Sequence, residues 1–129
     1  MLVLLDTTVL IDYLRGRPVA DRVDALEASL DIPCTTAINV EELARGLRDD
    51  EAEAAKRLVD GLQILVLGRR EGWQAGAWRQ GFAAQGVTLS QADVLIAAAA
   101  MSAGAVLATG NPAHFPMQEV VVEHWPVGG

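Results

Sequence analysis

Met1-Leu2-Val3-Leu4-Leu5-Asp6-Thr7-Thr8-Val9-Leu10-Ile11-Asp12-Tyr13-Leu14-Arg15-Gly16 is the stretch whose reading decides the fold. Leu2 to Leu5 is an unbroken apolar run, which predicts a strand buried on both faces, as in a parallel sheet. Asp6 falls where that strand ends. Two hydroxyl residues suited to helix N-capping follow, and then Val9, Leu10, Tyr13 and Leu14 at helical spacing. The carboxyl ends of strands are where open α/β sheets bind ligands. A charge delivered there by a buried strand needs a partner, because an isolated buried carboxylate is very costly. Taken alone, Asp6 also fits a helix N-cap. Asp12 falls on the polar face of the same helix and is expected to be solvated.

Outward from this stretch, Gly16 closes the first helix, and residues 18–30 place Val19, Val23, Leu26 and Leu30 at the spacing of a second amphipathic helix. Residues 32–35 form a short strand. Thr36 caps a helix over 37–47 with Val40, Leu43, Ala44 and Leu47 as its apolar stripe, and a further helix over 49–62 makes a hairpin with it. A strand is expected at 63–67, then a helix over 69–85 bearing Trp73, Ala77 and Phe82 and ended by Gly86. Trp73 and Trp78 lie on different stripes, so one belongs to the core and the other to an interface, with either assignment open. Ser90-Gln91-Ala92-Asp93 is a capping-box-like start to a helix that is apolar all round, from Val94 to Met101, and therefore central in the domain. Strands at 105–109 and 120–122 enclose an Asn111-Pro112 turn, and Val127-Gly128-Gly129 is expected to be a loose tail. Helices alternating with short apolar strands predict an α/β fold: one domain over 1–129, with a parallel sheet flanked by helices on both sides.

The net charge of −7 argues against a protein that simply coats nucleic acid, since affinity there comes from neutralising phosphates. A nuclease of this charge has to concentrate its cations locally, and nine of the ten basic residues are Arg, the side chain suited to bidentate phosphate contacts. Cys34 is the only cysteine, so no intrachain disulfide forms, and its strand position marks it as inert. No apolar stretch reaches membrane-spanning length without a charge, and the N-terminus lacks the basic region and cleavage site of a signal peptide. A cytoplasmic protein without a membrane partner is expected.

Three acids have apolar surroundings: Asp6, a glutamate of Val40-Glu41-Glu42-Leu43, and Asp93. Asp93 also fits a structural role, since an acid in a first helical turn complements the macrodipole by ~0.3–1 kcal/mol. If the three meet at the sheet edge, carboxylates ~5 Å apart repel by roughly 3 kcal/mol at an effective dielectric of about 20, and a cation must neutralise them. Hard oxygen donors without a His or Cys cluster point to Mg²⁺ or Mn²⁺. The chemistry that follows is metal-assisted phosphodiester hydrolysis. Periodicity does not choose between Glu41 and Glu42: Glu41 lies nearer the flank of the apolar stripe, and Glu42 points further round, beside Ile38 and Gly46.

Leu-Leu-Asp-Thr-Thr-Val-Leu-Ile-Asp-Tyr-Leu-Arg-Gly at 4–16, Glu-Leu-Ala-Arg-Gly at 42–46, Ala-Asp-Val-Leu-Ile-Ala-Ala-Ala-Ala at 92–100 and Leu-Ala-Thr-Gly-Asn-Pro-Ala-His-Phe at 107–115 resemble, in order and spacing, the four motifs of PIN-domain ribonucleases. Within them the chain most resembles the VapC-type toxins of toxin–antitoxin pairs. The resemblance implies a PIN-like fold and a Mg²⁺- or Mn²⁺-dependent endoribonuclease acting on an RNA substrate. It further implies a homodimer held inactive by a cognate VapB-type antitoxin whose C-terminal segment lies across the active site. Asp6, Glu42 and Asp93 match the metal-binding acids, and the family's Glu-Leu-x-x-Gly pattern selects Glu42. Thr7 and Thr109 match positions that support the site by hydrogen bonding, and Asn111 matches a polar position near the metal. At 114, where many relatives carry a fourth aspartate, this chain has a histidine, either a surface residue or a group that hydrogen-bonds a metal-bound water or the scissile phosphate. One carboxylate fewer implies weaker metal binding. Arg15 and Arg45, on the motif helices, and Arg48 are candidates for RNA backbone contacts or ordinary solvated charges.

Two other enzyme classes also fit parts of the pattern. A haloacid-dehalogenase-type phosphatase needs a second Asp two residues after the first, where this chain has Thr8, and a phosphoacceptor receiver domain needs a Lys at the end of a late strand, whereas Lys56, the only lysine, lies mid-helix. The remaining alternative is a catalytically weak PIN-fold module that acts through RNA or partner binding.

Overall fold

The computed structural model describes residues 1–129. Five strands form one sheet in the order β3-β2-β1-β4-β5: β1 (Leu2–Leu5) at the centre, β2 (Ile32–Thr35) and β4 (Val106–Thr109) beside it, β3 (Gln63–Ile64) and β5 (Val122–His124) at the edges. Every pairing is parallel, so all carboxyl ends lie along one side of the sheet. Six helices connect the strands: α1 (Thr7–Leu14), α2 (Val19–Ala28), α3 (Ala37–Arg45), α4 (Ala52–Asp60), α5 (Arg69–Ala84) and α6 (Gln91–Ala103).

The central strand explains why its sequence carries no alternation. Val3 and Leu5 pack with Val9 and Leu10 of α1 and Val19, Val23 and Leu26 of α2. Leu4 faces the other way, into a cluster with Trp78 of α5 and Ile96 to Ala100 of α6. Both faces are therefore covered. Ala97 to Ala100 are almost solvent-free, and one-carbon side chains let α6 lie close to the sheet. Gly104, at φ +66°, ends α6 in the left-handed conformation that glycine adopts freely. Cys34 is fully enclosed, and burial pushes its thiol up to about 11, in keeping with an inert residue. No helix is long and apolar enough to cross a membrane.

Several elements differ from the sequence expectation. α2 stops at Ala28, and Leu30, placed on its buried stripe, instead adopts a positive φ of 61° and is exposed, because the chain must turn there into β2. α3 ends at Arg45 and α4 begins at Ala52, two to three residues inside their expected bounds, and Ala44 is exposed. β3 is only two residues long, since Val66 already faces solvent at the sheet edge. β5 begins two residues later than expected, because Val120 is spent on the core before pairing starts. α5 buries Glu71, Ala75 and Trp78, so Trp73 and Ala77 are outside, and of Trp73 and Trp78 it is Trp78 that belongs to the core.

Asp12 and the tail are corrected together. Asp12 is 4% exposed, accepts from Arg17 at 3.0 Å and also accepts the backbone N–H of Gly128. That bond holds the C-terminal segment against α1, with the Val127 side chain close to Gly110. Neither residue behaves as a free solvated group.

Candidate active site

Leu5 of β1 and Ala108 of β4 are paired, so Asp6 and Thr109 leave the sheet as neighbours. Asp6 occupies the N-cap position of α1, yet its side chain caps nothing. The carboxylate instead accepts the Thr109 hydroxyl at 2.6 Å through Oδ2 and the Asn39 amide at 3.2 Å through Oδ1. At 7% exposure it is a buried acid. Burial pushes its pKa above the ordinary carboxylate value, the Thr109 hydrogen bond restrains the rise, and the nearby charge of Asp93 adds to it.

Glu42 enters from α3. Thr7 Oγ1 donates to Glu42 Oε1 at 2.7 Å and accepts from Asn39 Nδ2 at 3.0 Å. Asn39 and Glu42 are three apart on the helix and so share a face. Thr36 caps α3 by accepting the Asn39 N–H at 3.3 Å, and its own hydroxyl donates to Asn39 Oδ1 at 2.7 Å. The Asn39 carboxamide is thereby fixed, with its oxygen on Thr36 and its two N–H groups on Asp6 and Thr7. Glu41 points outward and pairs with Arg45 at 2.7 Å. Geometry thus separates the two glutamates where periodicity does not.

Asp93 arrives on the first turn of α6, where its N–H donates to the Ser90 hydroxyl at 3.1 Å. His114 ends a short 3-10 turn, Pro112–His114, and its Nδ1 lies 3.7 Å from Asp93 Oδ2. The exposed Asn111 donates its backbone N–H to Thr109 Oγ1 at 3.0 Å. Asp6, Glu42, Asp93, Thr7, Thr109, Asn111 and His114 therefore gather around the carboxyl ends of β1 and β4. Arg15 and Arg45 do not join them: Arg15 is held by Glu51 at 3.1 and 3.4 Å, and Arg45 by Glu41.

Asn39 is the site residue that sequence reading missed. Its signal was a polar side chain inside Ile38-Asn39-Val40, one turn before Glu42 on the same face. The donor set facing the edge is all oxygen but for the histidine, which suits a hard divalent cation. No three acidic, histidine or cysteine side chains close on one point as a cage.

The sequence profile of the PIN domain matches residues 3–116, a span that includes every residue of this cluster. The chain belongs to the PIN-domain family. Among solved structures, this PIN domain is similar to the VapBC-1 complex of nontypeable Haemophilus influenzae, 27% identical over 97% of this chain and 98% of that chain, with a TM-score of 0.80. A toxin–antitoxin complex from Klebsiella pneumoniae is 26% identical over 92% and 95% of the two chains, at a TM-score of 0.75. VapBC2 of Rickettsia felis, bound to a DNA fragment from its promoter, shares the fold at a TM-score of 0.82 and 20% identity, over 97% of this chain and 99% of that chain. No curated protein matches the chain. The five-stranded parallel sheet between helical layers is the PIN-like α/β fold.

Proposed function

We propose that this PIN domain is a Mg²⁺- or Mn²⁺-dependent endoribonuclease, the toxin of a toxin–antitoxin pair. One observation carries the reading: a buried, charge-stressed Asp6 stands beside Asp93 at the sheet edge where Thr7 also delivers Glu42. Acids so placed need a cation, and Asp6, Glu42 and Asp93 are the residues that would hold it. Carboxylate oxygens suit Mg²⁺ or Mn²⁺, which keep several waters and leave room for a substrate phosphate. When bound, such an ion supplies Lewis acidity that polarises a phosphoryl oxygen and acidifies a water.

The protein's own contribution is orientation. Thr109 and Asn39 turn the Asp6 carboxylate away from its capping position and toward the edge. Thr7 aims Glu42, and the Ser90 cap fixes the turn that carries Asp93. Asn111 and His114 offer polar groups on the open side for the phosphate or its water shell.

The similar solved structures include toxin–antitoxin complexes, which supports a cognate VapB-type antitoxin for this chain as well; a homodimer and a cytoplasmic location belong to the same proposal. The competing reading, a catalytically weak PIN module acting through RNA or partner binding, is favoured by His114 alone. Cleavage of end-labelled RNA by Glu42→Gln and Glu41→Gln proteins tests the proposal. Activity is lost in the first and kept in the second; equal activity in both would remove Glu42 from the site.

A further inference from the structure

Two of the three cations expected to meet RNA are already engaged, since Arg15 pairs with Glu51 and Arg45 with Glu41. A different surface meets the requirement that a −7 chain concentrate its positive charge locally. The 16-residue helix α5 contains a single acid, Glu71, and that acid is turned inward, where it accepts the Ser102 hydroxyl at 2.6 Å and the Gly68 N–H at 2.7 Å. At 100° per residue, the opposite face is centred on Trp73 and presents Arg69, Arg70, Ala77 and Gln80. Trp73 is 78% exposed, and neither Arg69 nor Arg70 forms an ion pair. This face of α5 carries no negative charge at all.

α5 packs antiparallel along α6: its first turns, with Arg69, Arg70 and Trp73, lie by Ser102 at the end of α6, and its later part reaches the start of α6, where Asp93 sits. RNA held at Trp73 therefore runs the length of α6, about 18 Å, to reach the site. Arg79, on the flank of α5, donates to the Leu89 carbonyl at 3.0 Å, one residue before the Ser90 cap. An exposed aromatic between unpaired guanidinium groups is the arrangement that binds single-stranded nucleic acid: bases stack on the ring while arginines track the phosphates.

We propose that the outer face of α5 is an RNA-docking surface, with a base stacked on Trp73 and flanking phosphates held by Arg69 and Arg70. The inference rests on RNA being the substrate. It assigns substrate grip to a helix outside the four sequence motifs.

The test is filter binding of an end-labelled pool of cellular RNA to the full chain carrying Asp93→Asn, so that RNA is not cut, with Mg²⁺ present. Trp73→Ala is expected to weaken binding about tenfold. Arg69→Glu with Arg70→Glu is expected to weaken it at least as much and to flatten the dependence of log affinity on log salt by one to two units. Lys56→Glu, on an exposed lysine of α4, serves as the charge control and changes neither. Undiminished binding in the α5 variants would overturn the docking surface while leaving the RNA reading intact. No RNA binding or cleavage by any form of the protein would overturn both. Variants that keep their RNA affinity but shift from dimer to monomer in light scattering would reassign the face to self-association.

Discussion

Thr109 donates its hydroxyl hydrogen to Asp6 at 2.6 Å, and this bond joins the ends of the two central strands at the point where the site begins. The same oxygen accepts the Asn111 N–H, so one side chain positions both the buried acid and the turn that carries His114. Thr109→Val keeps the shape and removes the donor. Loss of a hydrogen bond to a buried charge is expected to destabilise the fold by about 1.5–3 kcal/mol, read by urea denaturation. Thr109→Ser is expected to restore most of it.

Asp6→Asn is expected to end catalysis and stabilise the metal-free protein at neutral pH. Burial raises the Asp6 pKa in the folded state, so the ionised carboxylate weakens the fold. That loss is absent below the unfolded value near 3.8, grows as pH rises toward the folded value, and is complete above it. Melting temperatures in EDTA should therefore be higher for the variant at pH 7, with the difference vanishing below pH ~3.5. A variant that melts lower at pH 7 would contradict the charge-stressed site.

His114 lies 3.7 Å from Asp93, close enough to influence whatever the acid binds. His114→Asp adds a negative charge there, and Mn²⁺ titration by calorimetry is expected to show binding about tenfold tighter or better. Equal affinities in the two proteins would make His114 a surface residue.

Glu71 links the start of α5 to the end of α6, and the Ser102 hydroxyl, with the Gly68 N–H, holds its carboxyl below the ordinary range. Stability from this group is present above the unfolded glutamate pKa and lost as pH falls through the lowered folded one. Glu71→Gln is expected to melt lower at pH 7, to approach wild type in acid, and to keep its specific activity when folded. Ser102→Ala should move stability the same way by less.

What sequence made legible here follows from what periodicity encodes. β1 was bounded correctly because four apolar residues without alternation fit only a strand covered on both sides, and α6 was placed centrally because an all-apolar helix has nowhere to go but the centre, although it runs two residues past Met101. Periodicity gives a face, not a depth. Asp12 sat on the polar face of α1, yet the tail and Arg17 close over it, and a contact 116 residues away leaves no trace in local spacing. The α5 stripe was misplaced for a related reason: Trp73 has the hydrophobicity of a core residue, while the inward face includes an acid whose partner lies on α6. The motif acids were visible, but Asn39, which ties Asp6 to Thr7, stood in a helix read for its apolar stripe.

The central claim is tested most directly by incubating end-labelled RNA with purified, antitoxin-free protein in Mg²⁺ or Mn²⁺ and in EDTA, beside Asp93→Asn. Discrete cuts that require the metal and disappear in the variant are the predicted result. RNA left intact by a folded wild type in either metal, or cut equally by wild type and Asp93→Asn, would contradict it.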